Sequence, residues 1–105
     1  MALSDSMAAY SDCYDYYERA RNGKGIRILL PDDKQAGILR MRLNQARVLE
    51  RRESMRIYDR TDPRYGKSEN DKFRVAVRPV AEGEIGCWVY IEEWAQETLA
   101  IEDLE

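Results

Sequence analysis

Histidine is absent from the 105 residues. With it go the histidine-containing catalytic triads, the commonest zinc sites and the usual general base near neutral pH. Only two cysteines occur, Cys13 and Cys87, far apart and each inside an apolar pattern; they read as buried, reduced thiols of a cytoplasmic protein, not as a disulfide framework. No apolar run approaches the roughly 18 residues of a membrane span, so a soluble chain with no membrane partner is expected. The opening stretch MALSDSMAAYSD lacks the basic region and the continuous apolar segment of a signal or transit peptide. Positive charge is missing from both ends: residues 1–18 carry four acids and no base, and residues 79–105 carry eight acids and no base.

What the ends lack is concentrated between them. All 17 lysines and arginines lie in residues 19–78, against eight acids there, so the formal net charge of −3 conceals a basic band flanked by acidic segments. Such segregation bears on fields and partners, not on fold. The acidic ends can also fold back on the band, in surface pairs worth at most about 1 kcal/mol each. With 44% apolar and 35% charged residues, the composition excludes a disordered chain. A chain of this length forms one domain and buries roughly two thirds of its unfolded surface, so no metal or cofactor is needed to fold it.

The chain is organised around the stretch 32–58. Pro31 ends the preceding element, Asp32 is placed to cap free amides, and Gln35 follows three residues later as a capping box requires. Ala36, Leu39, Leu43 and Ala46 then fall at the spacing of a core-facing helix, with Ile38 and Leu49 widening the stripe. At 100° per residue Arg40, Arg47 and Arg51 lie within about 40° of one another on an adjoining face, together with Asn44. That face suits phosphate contacts; it equally suits a solvated surface on which Arg47 and Glu50 form an i, i+3 pair worth a few tenths of a kcal/mol.

Residues 1–22 predict a helix closed by Asn22-Gly23, with Gly23 available for the left-handed position past the end. Its wide apolar face holds Tyr10, Tyr14 and Tyr17, which are either core or a subunit contact, since tyrosine is enriched at interfaces. A homodimer is the corresponding partner expectation. Gly25–Leu30 reads as a short strand inside the sheet. Residues 59–71 (DRTDPRYGKSEND) form a polar surface loop, longer than most connections.

Residues 72–92 predict a hairpin turning at Ala81-Glu82-Gly83, and residues 93–105 an acidic tail or a short helix. A three-residue turn sets Arg78 against Gly86, Ala76 against Trp88 and Arg74 against Tyr90. One face then gathers Arg74, Arg78, Trp88 and Tyr90, the mixture on which single-stranded nucleic acid stacks its bases and neutralises its phosphates. A two-residue turn would instead pair Val77 with Trp88 and scatter that face. Arginine stacked on an aromatic ring is the purely structural alternative.

Motifs of known chemistry are lacking. Gly66-Lys67-Ser68 resembles the end of a phosphate-binding loop, but Thr61 stands where that motif needs glycine. Asp59, Thr61 and Pro63 fail the calcium-loop spacing. Asp32 and Asp33 are explained by helix capping.

The run LRMRLNQAR, then IY, then DPRYGKS, resembles small uncharacterised proteins of phages and prophages over residues 38–78. The resemblance implies an accessory protein of a mobile element and assigns no functional residue. The combined expectation is an α+β domain, ordered helix, strand, helix, strand, strand and a possible last helix, with a small sheet packed against two long helices. Its expected role is non-enzymatic: binding nucleic acid through Arg40, Asn44, Arg47, Arg51, Arg74, Arg78, Trp88 and Tyr90. The alternative is an inhibitor or adaptor that docks on a host protein through the acidic ends or the tyrosine-rich helix. Deleting residues from Gln96 onward removes the side-chain charges of Glu97, Glu102, Asp103 and Glu105. The truncated chain is expected to bind a short oligonucleotide more tightly than the full chain at low salt, as read by fluorescence anisotropy; equal affinity would mean that these acids do not screen the band.

Overall fold

In the computed structural model residues 5–94 are described, and the expected C-terminal tail or helix lies, beyond Trp94, outside the described residues. The elements run α1 (Asp5–Ala8), α2 (Ser11–Arg21), β1 (Ile26–Leu30), α3 (Asp33–Ile57), a 3-10 turn (Glu69–Lys72), β2 (Phe73–Pro79) and β3 (Cys87–Glu93). The architecture is α+β: an antiparallel three-stranded sheet in the order β1-β3-β2, packed against α3. No helix among the described residues is long and apolar enough to cross a membrane.

The strong start signal of α3 is realised. The Asp32 carboxylate accepts the Gln35 backbone N–H at 2.8 Å, and the helix then runs 25 residues, burying Ala36, Leu39, Leu43 and Ala46. Ile38, expected to widen this stripe, is exposed on the other side. The first helix is not continuous. It breaks at Ala9 and Tyr10, where Tyr10 leaves helical backbone (φ −116°, ψ 22°) and its carbonyl starts α2 by accepting from Cys13 N at 2.9 Å. Arg42 of α3 reaches into this break, donating to the Ala9 carbonyl at 3.2 Å and to Asp12 at 2.7 Å, with its guanidinium over the Tyr10 ring. A carbonyl that an unbroken helix would use internally is thus satisfied from outside. Only α3 is therefore a long helix.

Beyond α2, Asn22 remains helical in backbone (φ −78°, ψ −3°), and the left-handed residue is Gly25 (φ 103°), not Gly23. A Cβ on Gly25 would stand 2.7 Å from the Ile91 carbonyl oxygen, so the chain passes flush against β3 before entering β1. That strand lies at the edge, not inside the sheet. The central strand is β3, whose Cys87, Val89 and Ile91 are buried on the helix side.

The hairpin opens wider than a three-residue turn. Residues 80–86 connect the strands, and the register sets Arg78 against Trp88, Ala76 against Tyr90 and Arg74 against Glu92. Gly86 (φ 124°) is pressed on β1, since a Cβ there would sit 2.8 Å from the Leu30 carbonyl oxygen; the ladder begins only after it. The shift from the expected pairing is two residues, and an even shift leaves every side chain on its own face. Ile26, Ile28, Leu30, Phe73, Val75 and Val77 accordingly join Val89 and Ile91 under the helices.

Tyr17 closes this core. It is fully buried, its ring lies 6.2 Å from that of Phe73, and its hydroxyl donates to the Leu43 carbonyl of α3 at 2.9 Å. The half-buried Tyr14 repeats the device one turn earlier on α2, donating to the Ala46 carbonyl at 2.9 Å. Burial raises both phenols well above their ordinary pKa. Tyr17 thus has no surface left for a subunit contact, and of the three tyrosines considered for one, Tyr10 and Tyr14 keep only a partial exposure. Replacing Tyr17 by Phe keeps the ring and removes the hydroxyl bond, which is expected to cost about 1 kcal/mol and to lower the melting temperature by about 4–8 °C, with the mass by light scattering unchanged. An unchanged melting temperature or an altered mass would contradict this placement.

Candidate nucleic-acid interface

The helices cover one face of the sheet, and strand alternation turns Arg27 and Leu29 of β1, Trp88, Tyr90 and Glu92 of β3, and Arg74, Ala76 and Arg78 of β2 to the other. These side chains interlock diagonally. Arg27 lies over the Trp88 ring at 3.9 Å and donates to the Tyr90 hydroxyl at 3.4 Å. Arg78 lies over the Tyr90 ring at 4.3 Å and reaches both oxygens of Glu92, while Arg74 donates to Glu92 Oε1 at 2.9 Å. Two guanidiniums thus share one carboxylate, and Arg27 stands beside them on the rings. The bond from Arg78, opposed by partial burial and reinforced by Arg74, holds Glu92 below the usual carboxylate range. The Trp88 and Tyr90 rings each carry a guanidinium, an arrangement of flat groups on which a flat ligand could stack.

The four hairpin residues chosen from sequence are brought together here. Arg27 and Glu92 were missed. The alternation in GIRILL puts Arg27 opposite to Ile26 and Ile28, and the parity of β3 puts Glu92 beside Trp88 and Tyr90; what the sequence withholds is that β1 pairs with β3.

The arginine face of α3 is divided instead of continuous. Arg40 is exposed. Arg47 donates to the Phe73 carbonyl at 2.5 Å and to the Asn44 side chain, leaving its Nε buried without a partner. Arg51 grips Asp71 through Nε at 2.9 Å and Nη2 at 2.5 Å, and Asp71 also accepts the Ser68 backbone N–H at 2.9 Å. For Asp71 burial pushes the carboxyl up, but Arg51 and the Ser68 amide outweigh it and the net shift is downward. Residues 59–71, expected as a surface loop, therefore fold back onto this face, and Asn44, Arg47 and Arg51 are occupied within the fold.

The loop also closes over Glu50. One Glu50 oxygen accepts from Ser68 Oγ at 2.9 Å and Asn70 Nδ2 at 2.8 Å, while Arg21 of α2 donates to Asn70 Oδ1 at 2.5 Å. Beside them an open cleft of about 370 Å³ is lined by Glu50, Tyr58, Arg64 and Lys67 among others. Among the described residues no group of three histidine, cysteine or carboxylate side chains is placed to hold a metal ion. Both cysteines are free and buried, and burial pushes the Cys13 thiol up to about 11, which suits packing over nucleophilic chemistry. Compared with protein-family models, with curated proteins and with solved structures, the chain matches none.

Burial raises the Glu50 carboxyl, and the bonds from Asn70 and Ser68 only partly oppose this. A carboxyl whose folded pKa exceeds its unfolded value of about 4.3 binds its proton more tightly when folded. Its charged form therefore costs stability above the folded pKa, and the cost is relieved as the pH falls towards the unfolded value. Glu50→Gln keeps an oxygen for both donors and removes the charge. It is expected to raise the melting temperature near pH 7, with the gain over the parent shrinking as the pH approaches about 4; calorimetry at the two pH values measures it, and a lower melting temperature at pH 7 would reverse the sign assigned to Glu50.

Proposed function

We propose that this protein binds single-stranded nucleic acid on the sheet face that the described helices leave open. One observation carries the reading: Arg27, Arg74 and Arg78 share a face with the single carboxylate of Glu92, which pairs with Arg74 and Arg78, while Arg27 stacks on Trp88 and Arg78 on Tyr90, and no helix among the described residues covers that face. Arginine planes and aromatic rings take bases in a sequence-tolerant way, and the two positive charges in excess meet phosphate. Glu92 stands in for that phosphate in the free protein: an incoming oxygen takes over the donors of Arg74 and Arg78 and releases the carboxylate to water.

On this reading the helix contributes less than its arginine content suggests, because Arg47 and Arg51 are engaged with Phe73 and Asp71. The resemblance of residues 38–78 to small phage and prophage proteins agrees with a non-enzymatic binding role in a mobile element.

Changing Arg27, Arg74 and Arg78 together to Gln is expected to abolish most oligonucleotide binding. The slope of log affinity against log salt should fall by about 0.7 for each lost contact to a single strand, roughly two in all. Changing Arg47 and Arg51 to Gln should instead lower the melting temperature and leave the slope nearly unaltered. Titrations of a labelled single strand at several salt concentrations distinguish the two. No measurable binding by the parent at about 50 mM salt, or an unchanged slope in the folded sheet variant, would overturn the proposal.

A further inference from the structure

The side of α3 that faces away from the sheet is not a plain solvated surface. Ile38, Met41 and Met55 are exposed there, Met41 to 64%, and Val48 is half-buried between them. At 100° per residue Met41, Val48 and Met55 point about 160° away from the buried Ala36, Leu39, Leu43 and Ala46. They recur every seven residues, the repeat that lets one helix follow another along a seam. The seam has depth as well as length: Gly37, Arg40, Met41, Asn44, Gln45 and Val48 line a shallow groove of about 470 Å³, and a Cβ on Gly37 would meet nothing within 4 Å.

The charges beside the groove are mainly positive, with Asp33 of the first turn the exposed exception. Lys34, Arg40 and Arg52 are exposed and form no ion pair among the described residues. The acids in the body of α3 are turned away or engaged: Glu50 with Ser68 and Asn70, and Glu53 with Arg56. A second copy laid face to face would set arginine against arginine. A nucleic acid backbone offers nothing to cover three apolar side chains. Charge and apolarity are both met by a helix with leucine-like residues at i, i+3, i+4 and i+7 and with Asp or Glu on its flanks, the helix-in-groove mode in which methionine supplies an adaptable lining.

We propose that the outer face of α3 is a docking groove for an acidic amphipathic helix of another protein. It lies on the opposite side of the molecule from the uncovered sheet face, so the two surfaces are independent, and an oligonucleotide and a helical partner fit at once.

The probe is a synthetic peptide of about 20 residues, long enough for a groove of this length, with Leu at the helical spacing and Glu elsewhere; a second peptide carries Lys in place of every Glu. Binding to the full chain is followed by fluorescence anisotropy. The acidic peptide is expected to bind saturably and at least about ten-fold more tightly than the basic one. Met41→Asp with Met55→Asp should weaken it about ten-fold and lower the melting temperature only slightly, because Met41 is 64% and Met55 47% exposed. Arg40→Glu with Arg52→Glu should reverse the preference between the two peptides, which no loss of folding can imitate. Three results would overturn the proposal: equal or absent binding of both peptides, affinity unchanged in the methionine variant, or a parent dimer by light scattering that the methionine variant converts to monomer, which would make the occupant a second copy.

Discussion

The rest of the structure depends on the seat of Tyr17. Its hydroxyl donates to a carbonyl of α3 and its ring lies on Phe73, so a single side chain joins α2, α3 and the first residue of β2. The Leu43 carbonyl can accept this bond on its second lone pair while keeping its helical partner, so the hydroxyl is buried without breaking the helix. Tyr14 fixes the angle between α2 and α3 with a second bond of the same kind. With Phe73 placed, its carbonyl becomes available to Arg47, and the loop that delivers Phe73 must pass where Arg51 can take Asp71 and Glu50 can take Ser68 and Asn70. The polar network between α3 and the loop is therefore downstream of an aromatic packing decision.

That network determines which charges remain for other molecules. Arginine suits internal work here because its planar fork holds a carboxylate or several carbonyls in one geometry and is weakly hydrated for a cation. Arg42 at the break between α1 and α2, Arg47 at the start of β2, and Arg21 and Arg51 at the 3-10 turn each satisfy polar groups where backbone leaves regular structure. A basic band in sequence is thus partly a structural material. Of the remainder, Arg27, Arg74 and Arg78 stack on rings at the sheet face, and Lys34, Arg40 and Arg52 rim a row of methionines at the back of α3.

Helix periodicity and capping made α3 legible nearly to the residue, because each signal is local: Pro31, Asp32 and the spacing of Ala36, Leu39 and Leu43. The composition of the sheet faces was legible for a different reason, since it depends only on whether the hairpin offset is even or odd. The register itself was not legible, because the contact of Gly86 with β1 that delays the ladder joins residues distant in sequence. The break at Tyr10 was hidden for the same cause, as it is held by Arg42. On α3 the arginine face was read correctly as a geometrical face and wrongly as free, because Asp71 and the Phe73 carbonyl reach it only through the fold of residues 59–71. Ile38 shows the converse limit: a wide apolar stripe on a helical projection does not say which of its members the sheet can reach.

Two basic surfaces on opposite sides of one small domain raise the question of why each should prefer a different partner, since any polyanion is attracted to both. Long-range attraction does not separate them, for it is screened within about 10 Å at moderate salt and both surfaces carry a similar excess of charge. The material between the charges does. On the sheet, flat rings and guanidinium planes would reward flat ligands, and on the proposed reading Arg74 and Arg78 would release one carboxylate to take a phosphate, so desolvation would be small and affinity salt-dependent. On α3, Met41, Val48 and Met55 are rewarded only by a ligand that removes them from water, at about 25 cal/mol per Å², and an extended polyphosphate chain cannot do so. A helix with an apolar seam can, and its affinity would owe more to burial than to counterions. On the two proposals together, the electrostatic field would bring acidic partners to either side, and the apolar and aromatic groups between the charges would select which one stays.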